Sequence, residues 1–118
     1  MADQFVRGVA SALQVCQRHA ADVVSIKAGQ TGSLDECRRV AELCPAFGPR
    51  GHVGGGGHPS VVDAAMAHVA SSVPGIDEEC EVGECLAITG DLTTGFTIRD
   101  GRYELSDAPG LGVTLTEC

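Results

Sequence analysis

Apolar residues along the first two thirds of the chain follow two alternating spacings. Between Gln4 and Ala21 they recur every three or four positions, which predicts a helix. The run from Val23 to Ile26 is short, mostly β-branched and free of Pro and Gly, which predicts a buried strand. A second short strand is predicted around Gly51–Val53, and a third, interrupted by acidic residues, from Ile76 to Val82.

Two further helices are marked by their end signals. Ser33 is followed three positions later by Glu36, a capping pair that predicts a helix start. That helix should end by Cys44, because Pro45 disfavours helical backbone at the residue before it. Small apolar residues at helical spacing predict another helix from Ser60 to Ser72. Helices and strands therefore alternate, which is typical of an α/β fold with a parallel sheet.

The last quarter of the chain has a different pattern. Short β-prone runs at Phe96–Ile98 and Tyr103–Leu105 flank Asp100–Gly101, which predicts an antiparallel hairpin. The segment Pro109–Val113 follows and fits no strand–helix repeat. We therefore divide the chain into an α/β part, residues 1–90, and a hairpin and return segment, residues 91–118.

Composition narrows the class of protein. The 118 residues, 43% hydrophobic and 20% charged, suffice for one modest core and are ordinary for a folded domain. The net charge of −8 argues against a nucleic-acid partner, because phosphate binding needs a cationic surface. No apolar run approaches the roughly 18 residues of a membrane span, and no basic-then-apolar leader begins the chain. We expect no membrane association and a cytoplasmic location.

Six cysteines raise the alternative of a zinc-binding or disulfide-bonded mini-domain. Their spacings do not give the closely spaced pairs of structural zinc sites. Cys37 and Cys44 would share one helix face, where cysteine behaves as a small hydrophobic residue. We expect reduced, mostly buried thiols and keep the zinc site as a third alternative.

Lys27 is the only lysine of the chain and directly follows the first predicted strand. A glycine-containing turn and a helix come after it, and barrel enzymes place their chemistry at the C-terminal end of such a strand. Lys27 is therefore a candidate catalytic residue. The alternative is a solvated lysine that leaves a strand end.

The order of several segments resembles one enzyme family. The stretch from Ala21 to Cys44 resembles the sixth βα unit of the mandelate racemase/muconate-lactonizing branch of the enolase superfamily. Val61–Asp77 and Cys80–Glu84 resemble the helix before strand eight and strand eight itself. The Asp100–Gly101 turn and Pro109–Val113 follow in the family's order. The resemblance implies the C-terminal part, about strands five to eight, of a (β/α)8 TIM barrel, followed by a short β-hairpin tail that packs on the capping domain in full-length relatives.

The resemblance also assigns roles to individual residues. It implies that Lys27 is the catalytic proton shuttle and that Asp3 corresponds to the third carboxylate of a Mg²⁺ site. It implies that Glu81 and Glu84, at the end of strand eight, orient or polarise the substrate, although Glu84 could equally be a solvated loop acid. Parallel strands gather such residues at one edge, so we expect Lys27 beside Asp3 and Glu81. Asp3, so close to the first residue, could instead be frayed.

Gly54 opens a run of four glycines between His52 and His58. Backbone amides of this run could approach an anionic ligand, which makes Gly54 and His52 candidate substrate-binding residues. The run lacks the lysine and Ser/Thr of a phosphate loop, so a flexible loop is the favoured alternative. Unpaired histidines on such a loop could also be incidental.

Two functions of different class stay open. The first is a fragment of an enolase-superfamily enzyme that uses Mg²⁺ to abstract the proton α to the carboxylate of a small substrate, as racemases, epimerases, cycloisomerases and dehydratases do. The chain would then begin inside strand five, without the other metal ligands, and would be inactive alone. The second is a non-catalytic half-barrel remnant or assembly partner. In either case we expect a homo-oligomer or pairing with a complementing half-barrel chain, because the barrel sheet would be open.

Overall fold

The computed structural model describes residues 1–116, so the last two residues of the predicted tail lie outside the described part. The α/β part is built from α1 (Val9–Gln17), β1 (Val23–Ile26), α2 (Ala28–Thr31), α3 (Leu34–Leu43), β2 (Arg50–Val53) and α4 (Ser60–Ser72). The tail adds four two-residue strands, β3 (Thr93–Thr94), β4 (Ile98–Arg99), β5 (Arg102–Tyr103) and β6 (Thr114–Leu115). Within residues 1–116, the helices lack the length and apolar character needed to cross a membrane.

A small parallel sheet organises the α/β part. β1 and β2 pair in parallel along their whole length. Single parallel bridges extend the sheet on both sides, from Ala2 to β1 and from Ile76 to β2. Four segments therefore run side by side in chain order, the topology of consecutive βα units. Asp3, Lys27 and Gly54 each come directly after one of these segments, so they meet at the C-terminal edge of the sheet.

The sheet has one face in the core and one polar face. Val24, Ile26 and Val53 pack into the core with residues of α1, α3 and α4, and none of the three is more than 1% exposed. Burying each of these side chains contributes about 1.5–3 kcal/mol. Side chains alternate along a strand, so Ser25 and His52, which are paired neighbours in register, lie on the opposite face. We call this side of the sheet the polar face.

The helices follow the end signals of the sequence, with one exception. α3 begins after Ser33, whose Oγ accepts the N–H of Glu36, as the capping pair predicts. α4 runs from Ser60 to Ser72, with both predicted bounds confirmed. α1 begins five residues later than predicted, at Val9, and ends four residues earlier than predicted, at Gln17. The late start is due to Gly8, whose φ of 147° lies outside the helical region and separates α1 from the turn before it.

The predicted third strand, Ile76 to Val82, is largely wrong. The structure retains one bridge, between Ile76 and Gly51, and no continuous strand. The N–H groups of Asp77 and Glu78 both donate to the carbonyl of Gly51, at 3.2 and 3.3 Å. A parallel ladder needs successive bonds to advance along the partner strand, so two bonds to one carbonyl interrupt it. The next bond, from the N–H of Glu81 to the carbonyl of Val53 at 2.8 Å, comes three residues later.

The tail forms two small antiparallel pairs. β4 and β5 pair on either side of Asp100 and Gly101, both of which have positive φ, as two-residue hairpin turns require. The ring of Phe96 stacks on that of Tyr103 in β5, with the two centroids 4.4 Å apart. β3 pairs with β6, which ties the start of the tail to its end.

Candidate active site

Lys27 extends over the polar face and binds Asp3. Its Nζ lies 3.0 Å from each of the two carboxylate oxygens of Asp3. The Lys27 side chain is 12% exposed and that of Asp3 38%, so the pair is partly shielded from water and less screened than a surface ion pair. The expected proximity of these two residues is therefore observed. Within residues 1–116, Asp3 is the only ion-pair partner of Lys27.

Backbone hydrogen bonds hold Asp3 at this edge. The N–H of Ala2 donates to Val23, and the carbonyl of Ala2 accepts from Ser25, both at 2.8 Å. The carbonyl of Asp3 itself accepts from Val6 at 2.8 Å, which closes a turn after the bridge. Asp3 is therefore fixed on the polar face, contrary to the alternative that it is frayed.

Gly54 makes room for Lys27 and does not offer its amide to a ligand. A Cβ on Gly54 would lie 2.4 Å from Lys27 Cε and 2.2 Å from Ser25 Oγ, so only glycine fits beneath the lysine stem. The N–H of Gly54 donates to Ile26 at 3.0 Å as the end of the parallel ladder. The prediction of substrate binding by Gly54 is therefore corrected: its donor is already used, and its contribution is space.

The remaining three glycines bind carboxylates of the same chain. Gly55 donates its N–H to Glu81 Oε2 at 2.8 Å, and Gly56 donates to Glu84 Oε2 at 2.6 Å. Gly57 also donates to Glu84 Oε2. The glycine amides and the two glutamates, predicted separately as ligand-binding groups, thus bind each other. Glu81, expected beside Lys27, forms no ion pair with it within residues 1–116, and its Oε2 lies 3.8 Å from His52 Nε2.

The charge of Glu84 is stabilised by this arrangement. The N–H groups of Gly57 and Gly56 lower the pKa of the Glu84 carboxyl below its ordinary value, and the nearby charges of His58 and Lys27 act in the same direction. Glu84 therefore stays ionised while it occupies the loop. Glu84 differs from the solvated loop acid of the alternative prediction because two backbone amides bind its carboxylate.

The two histidines occupy different surroundings. His52 is buried in β2, its Nδ1 contacts the carbonyl of Glu79, and its Nε2 has no hydrogen-bond partner among the described residues. A carbonyl can only accept, so Nδ1 carries the hydrogen and Nε2 faces Glu81. His58 is half-buried and lies against Gly56 and Gly29. Neither is a freely exposed loop histidine.

The structure adds Asp63, which the sequence analysis missed. It lies in the first turn of α4 but is only 4% exposed, and its Oδ2 accepts the N–H groups of Gly83 and Cys85 at 3.1 and 3.0 Å. These are the two neighbours of Glu84 in the chain, so Asp63 holds the backbone that presents Glu84. An acid among the small apolar residues of an otherwise buried helix was the available signal.

A cavity of about 260 Å³ opens beside Lys27. Gln4 and Gln30 form one wall and bond to each other through their amides at 2.7 Å. His58 and the loop residues Gly55 and Gly56 form the other wall. The cavity has room for a small organic acid, and its polar groups come from three different βα connections, as at barrel active sites.

The described residues do not by themselves fit a Mg²⁺ site. Magnesium prefers near-octahedral oxygen coordination, usually with more than one carboxylate. Asp3 supplies a single carboxylate, already bound by Lys27, and residues 1–116 contain no group of three His, Cys, Asp or Glu side chains that could hold a metal.

The five described cysteines are free, and burial raises the pKa of Cys44 and of Cys85 to about 12.

The fold and the site define an α/β protein whose parallel sheet has a lysine–carboxylate pair at its C-terminal edge. The model of the enolase C-terminal domain-like family matches residues 1–118, and the chain belongs to that family. Its fold matches part of the barrel of mandelate racemase and muconate-lactonizing enzymes.

Individual relatives differ in the reaction that their names give. The chain is 35% identical to muconate cycloisomerase 1 of Rhodococcus opacus over 116 residues, which cover 98% of this chain and 31% of that protein. It is 33% identical to a probable glucarate dehydratase of Streptomyces coelicolor over 71% of this chain and 20% of that protein. The substrate-liganded structure of the L-Ala-D/L-Glu epimerase of Bacillus subtilis superposes with a TM-score of 0.88 at 26% identity, covering 96% of this chain and 32% of that one. The chain thus spans about a third of the length of these relatives or less.

Proposed function

We propose that this chain supplies the lysine side of an enolase-superfamily active site, in which Lys27 transfers the proton α to the carboxylate of a small substrate. The observation that carries the proposal is the Lys27–Asp3 pair at the C-terminal edge of the parallel sheet, beside a cavity of suitable size. Muconate, glucarate and L-Ala-D/L-Glu, named for three relatives, all contain carboxylates, which supports a small carboxylate as the substrate class.

Each residue at this edge has a distinct part in the proposal. Lys27 Nζ takes or returns the proton, and Asp3 orients the ammonium group in the cavity. Gly54 leaves the lysine stem its path across the polar face. Glu81, held by Gly55 and close to His52, lies on the glycine-loop side of the site and orients the substrate.

The sheet order supports a finer assignment, in which Ala2, β1, β2 and Ile76 correspond to strands five to eight of the barrel. A working Mg²⁺ site would need further carboxylates besides Asp3. We therefore propose that the 118-residue chain has no turnover alone, and that it pairs through its sheet edges with a second copy or a complementing half-barrel chain.

A chimera tests the catalytic assignment. The matching 116 residues of muconate cycloisomerase 1 are replaced by this chain, and conversion of muconate is followed with Mg²⁺ present. We expect turnover by the chimera, a loss of at least a hundredfold in kcat for Lys27→Ala, in the range of general acid–base contributions, and little change for Arg39→Ala on the exposed side of α3. Equal turnover by the Lys27→Ala and Arg39→Ala chimeras would exclude Lys27 as the proton-transferring group.

A further inference from the structure

The loop Gly55–Gly57 presents a row of backbone donors to carboxylates. Its three consecutive N–H groups all donate to glutamate oxygens, one to Glu81 and two to a single oxygen of Glu84. Successive amides that converge in this way form a concave anion-binding site. We call this loop, with the carboxylate positions it binds, the amide nest.

The glycines are required by how closely the carboxylates approach. A Cβ on Gly55 would lie 2.4 Å from Glu84 Cδ and 2.5 Å from its Oε1. Gly57 has a φ of +65°, a conformation that other residues rarely adopt. The backbone is thus shaped around a planar carboxylate that lies directly on it.

The buried Nε2 of His52 faces the carboxylate of Glu81 in the amide nest. His52 is 6% exposed, and its Nε2 has no hydrogen-bond partner within residues 1–116. The nearest acidic atom is Glu81 Oε2, at 3.8 Å, which is the oxygen that Gly55 binds. Buried polar atoms are nearly always paired, and Nε2 can only accept, so the open nitrogen indicates a place for a donor such as a water molecule that bridges it to a bound carboxylate.

Glu84 can leave the amide nest without a change in the backbone. Asp63 holds the N–H groups on both sides of it, at Gly83 and Cys85, while the Glu84 side chain itself is exposed. Rotation about the bonds of the Glu84 side chain would free the two amides of Gly56 and Gly57. Lys27 would still provide positive charge nearby.

We propose that the amide nest is a binding site for the carboxylate of a small organic acid, and that Glu84 is an internal competitor which this ligand must displace. The site adjoins the Lys27 cavity but requires neither proton transfer nor a metal. Carboxylate binding at the nest can therefore be tested separately from the proposed function. A competitor that fills the nest about nine tenths of the time weakens the apparent affinity about tenfold.

Acetate is the probe, added at constant ionic strength and followed through the amide signals of the glycines in ¹⁵N-labelled 118-residue chain. Glu84→Ala should bind acetate about tenfold more tightly than the unmodified chain, with the largest shifts at Gly56 and Gly57. Glu84→Gln, which keeps the size of the side chain, should also bind more tightly. Glu79→Ala is the matched control, because it removes the same charge from an exposed neighbouring position.

The result that would overturn the proposal is an unchanged acetate affinity in both Glu84 variants, or an equal gain in Glu79→Ala, which would reduce the effect to net charge. Adding Gly55→Ala to Glu84→Ala gives a further check. Its new Cβ would occupy the carboxylate position, so the gained acetate binding should be lost while the α-helical circular dichroism is retained. Retained binding in this double variant would also contradict the site.

Discussion

The stem of Lys27 passes so close to Gly54 that a methyl group on the glycine would lie 2.4 Å from Lys27 Cε. These residues come directly after β1 and β2, which are paired in register, so the sheet itself brings them together. The position of Lys27 therefore depends on the absence of a side chain at Gly54 as much as on the ion pair with Asp3.

Gly54→Ala should destabilise the protein and move Lys27 away from Asp3. Overpacking of a tight site costs about 1–3 kcal/mol, so the free energy of unfolding should fall by that amount in urea titrations followed by circular dichroism. Gly29→Ala is the matched control: its Cβ would lie 3.1 Å from the end of the His58 side chain, which can shift. An equal effect of the two substitutions would contradict the account of Gly54.

Asp63→Ala should loosen the segment that carries Glu84. The N–H groups of Gly83 and Cys85 would lose their acceptor, and a buried unsatisfied donor costs about 1–3 kcal/mol. We expect a lower free energy of unfolding together with faster amide hydrogen exchange at Gly56 and Gly57. Asp77→Ala, at an exposed position, should change neither. Unchanged exchange at the glycines would mean that Asp63 does not position Glu84.

The amide nest should respond to pH through Glu84. The pKa of Glu84 is lowered in the folded chain from an ordinary value of 4.5, so its stabilising contribution is complete above that value and is lost as the pH falls through the lower folded pKa. The amide signals of Gly56 and Gly57 should therefore hold steady down to pH 4.5 and shift only below it. In Glu84→Gln this transition should be absent. A transition centred above 4.5, or one that survives in Glu84→Gln, would contradict the assignment.

The local signals of the sequence were enough to predict much of the fold. Ser33 and Glu36 mark the start of α3, and the bounds of α4 agree with its periodicity, because caps and apolar spacing act within one or two turns. The strand predicted after Ile76 failed because its pairing depends on how successive amides meet Gly51, a contact between distant segments. The local spacing of residues does not predict such a contact.

For the candidate site too, only some features could be predicted from the sequence. Lys27 and Asp3 could be placed together because both follow parallel segments, and the order of those segments was readable. The bonds between the glycine loop and Glu81 and Glu84 were not predictable, since they join residues 26 to 28 positions apart through a register that only the folded sheet defines. A row of glycines and a pair of acids each indicated a ligand, and the structure shows that they satisfy each other.

The isolated chain should associate in solution. The bridges at Ala2 and Ile76 are the outermost pairings of the parallel sheet, and Phe5, close to the first of them, is 56% exposed. Light scattering at micromolar concentration should give a mass above the 12.1 kDa of one chain. Phe5→Asp should lower that mass, and Leu34→Gln, at an exposed position of α3, should not. A sharp 12.1 kDa species for the unmodified chain would contradict this prediction.

Chemical rescue of Lys27 tests the central claim most directly. In the muconate cycloisomerase 1 chimera, Lys27→Ala should abolish exchange of the protons α to the carboxylate of muconolactone with deuterated water, and added methylamine should restore it in proportion to the concentration of free amine. This follows because a small amine can occupy the space left by the lysine and accept the same proton. Trimethylamine, which is too bulky for the path beside Gly54, should restore much less. Undiminished exchange in Lys27→Ala, or a lost exchange that no amine restores while Arg39→Ala stays active, would contradict the role of Lys27 in proton transfer.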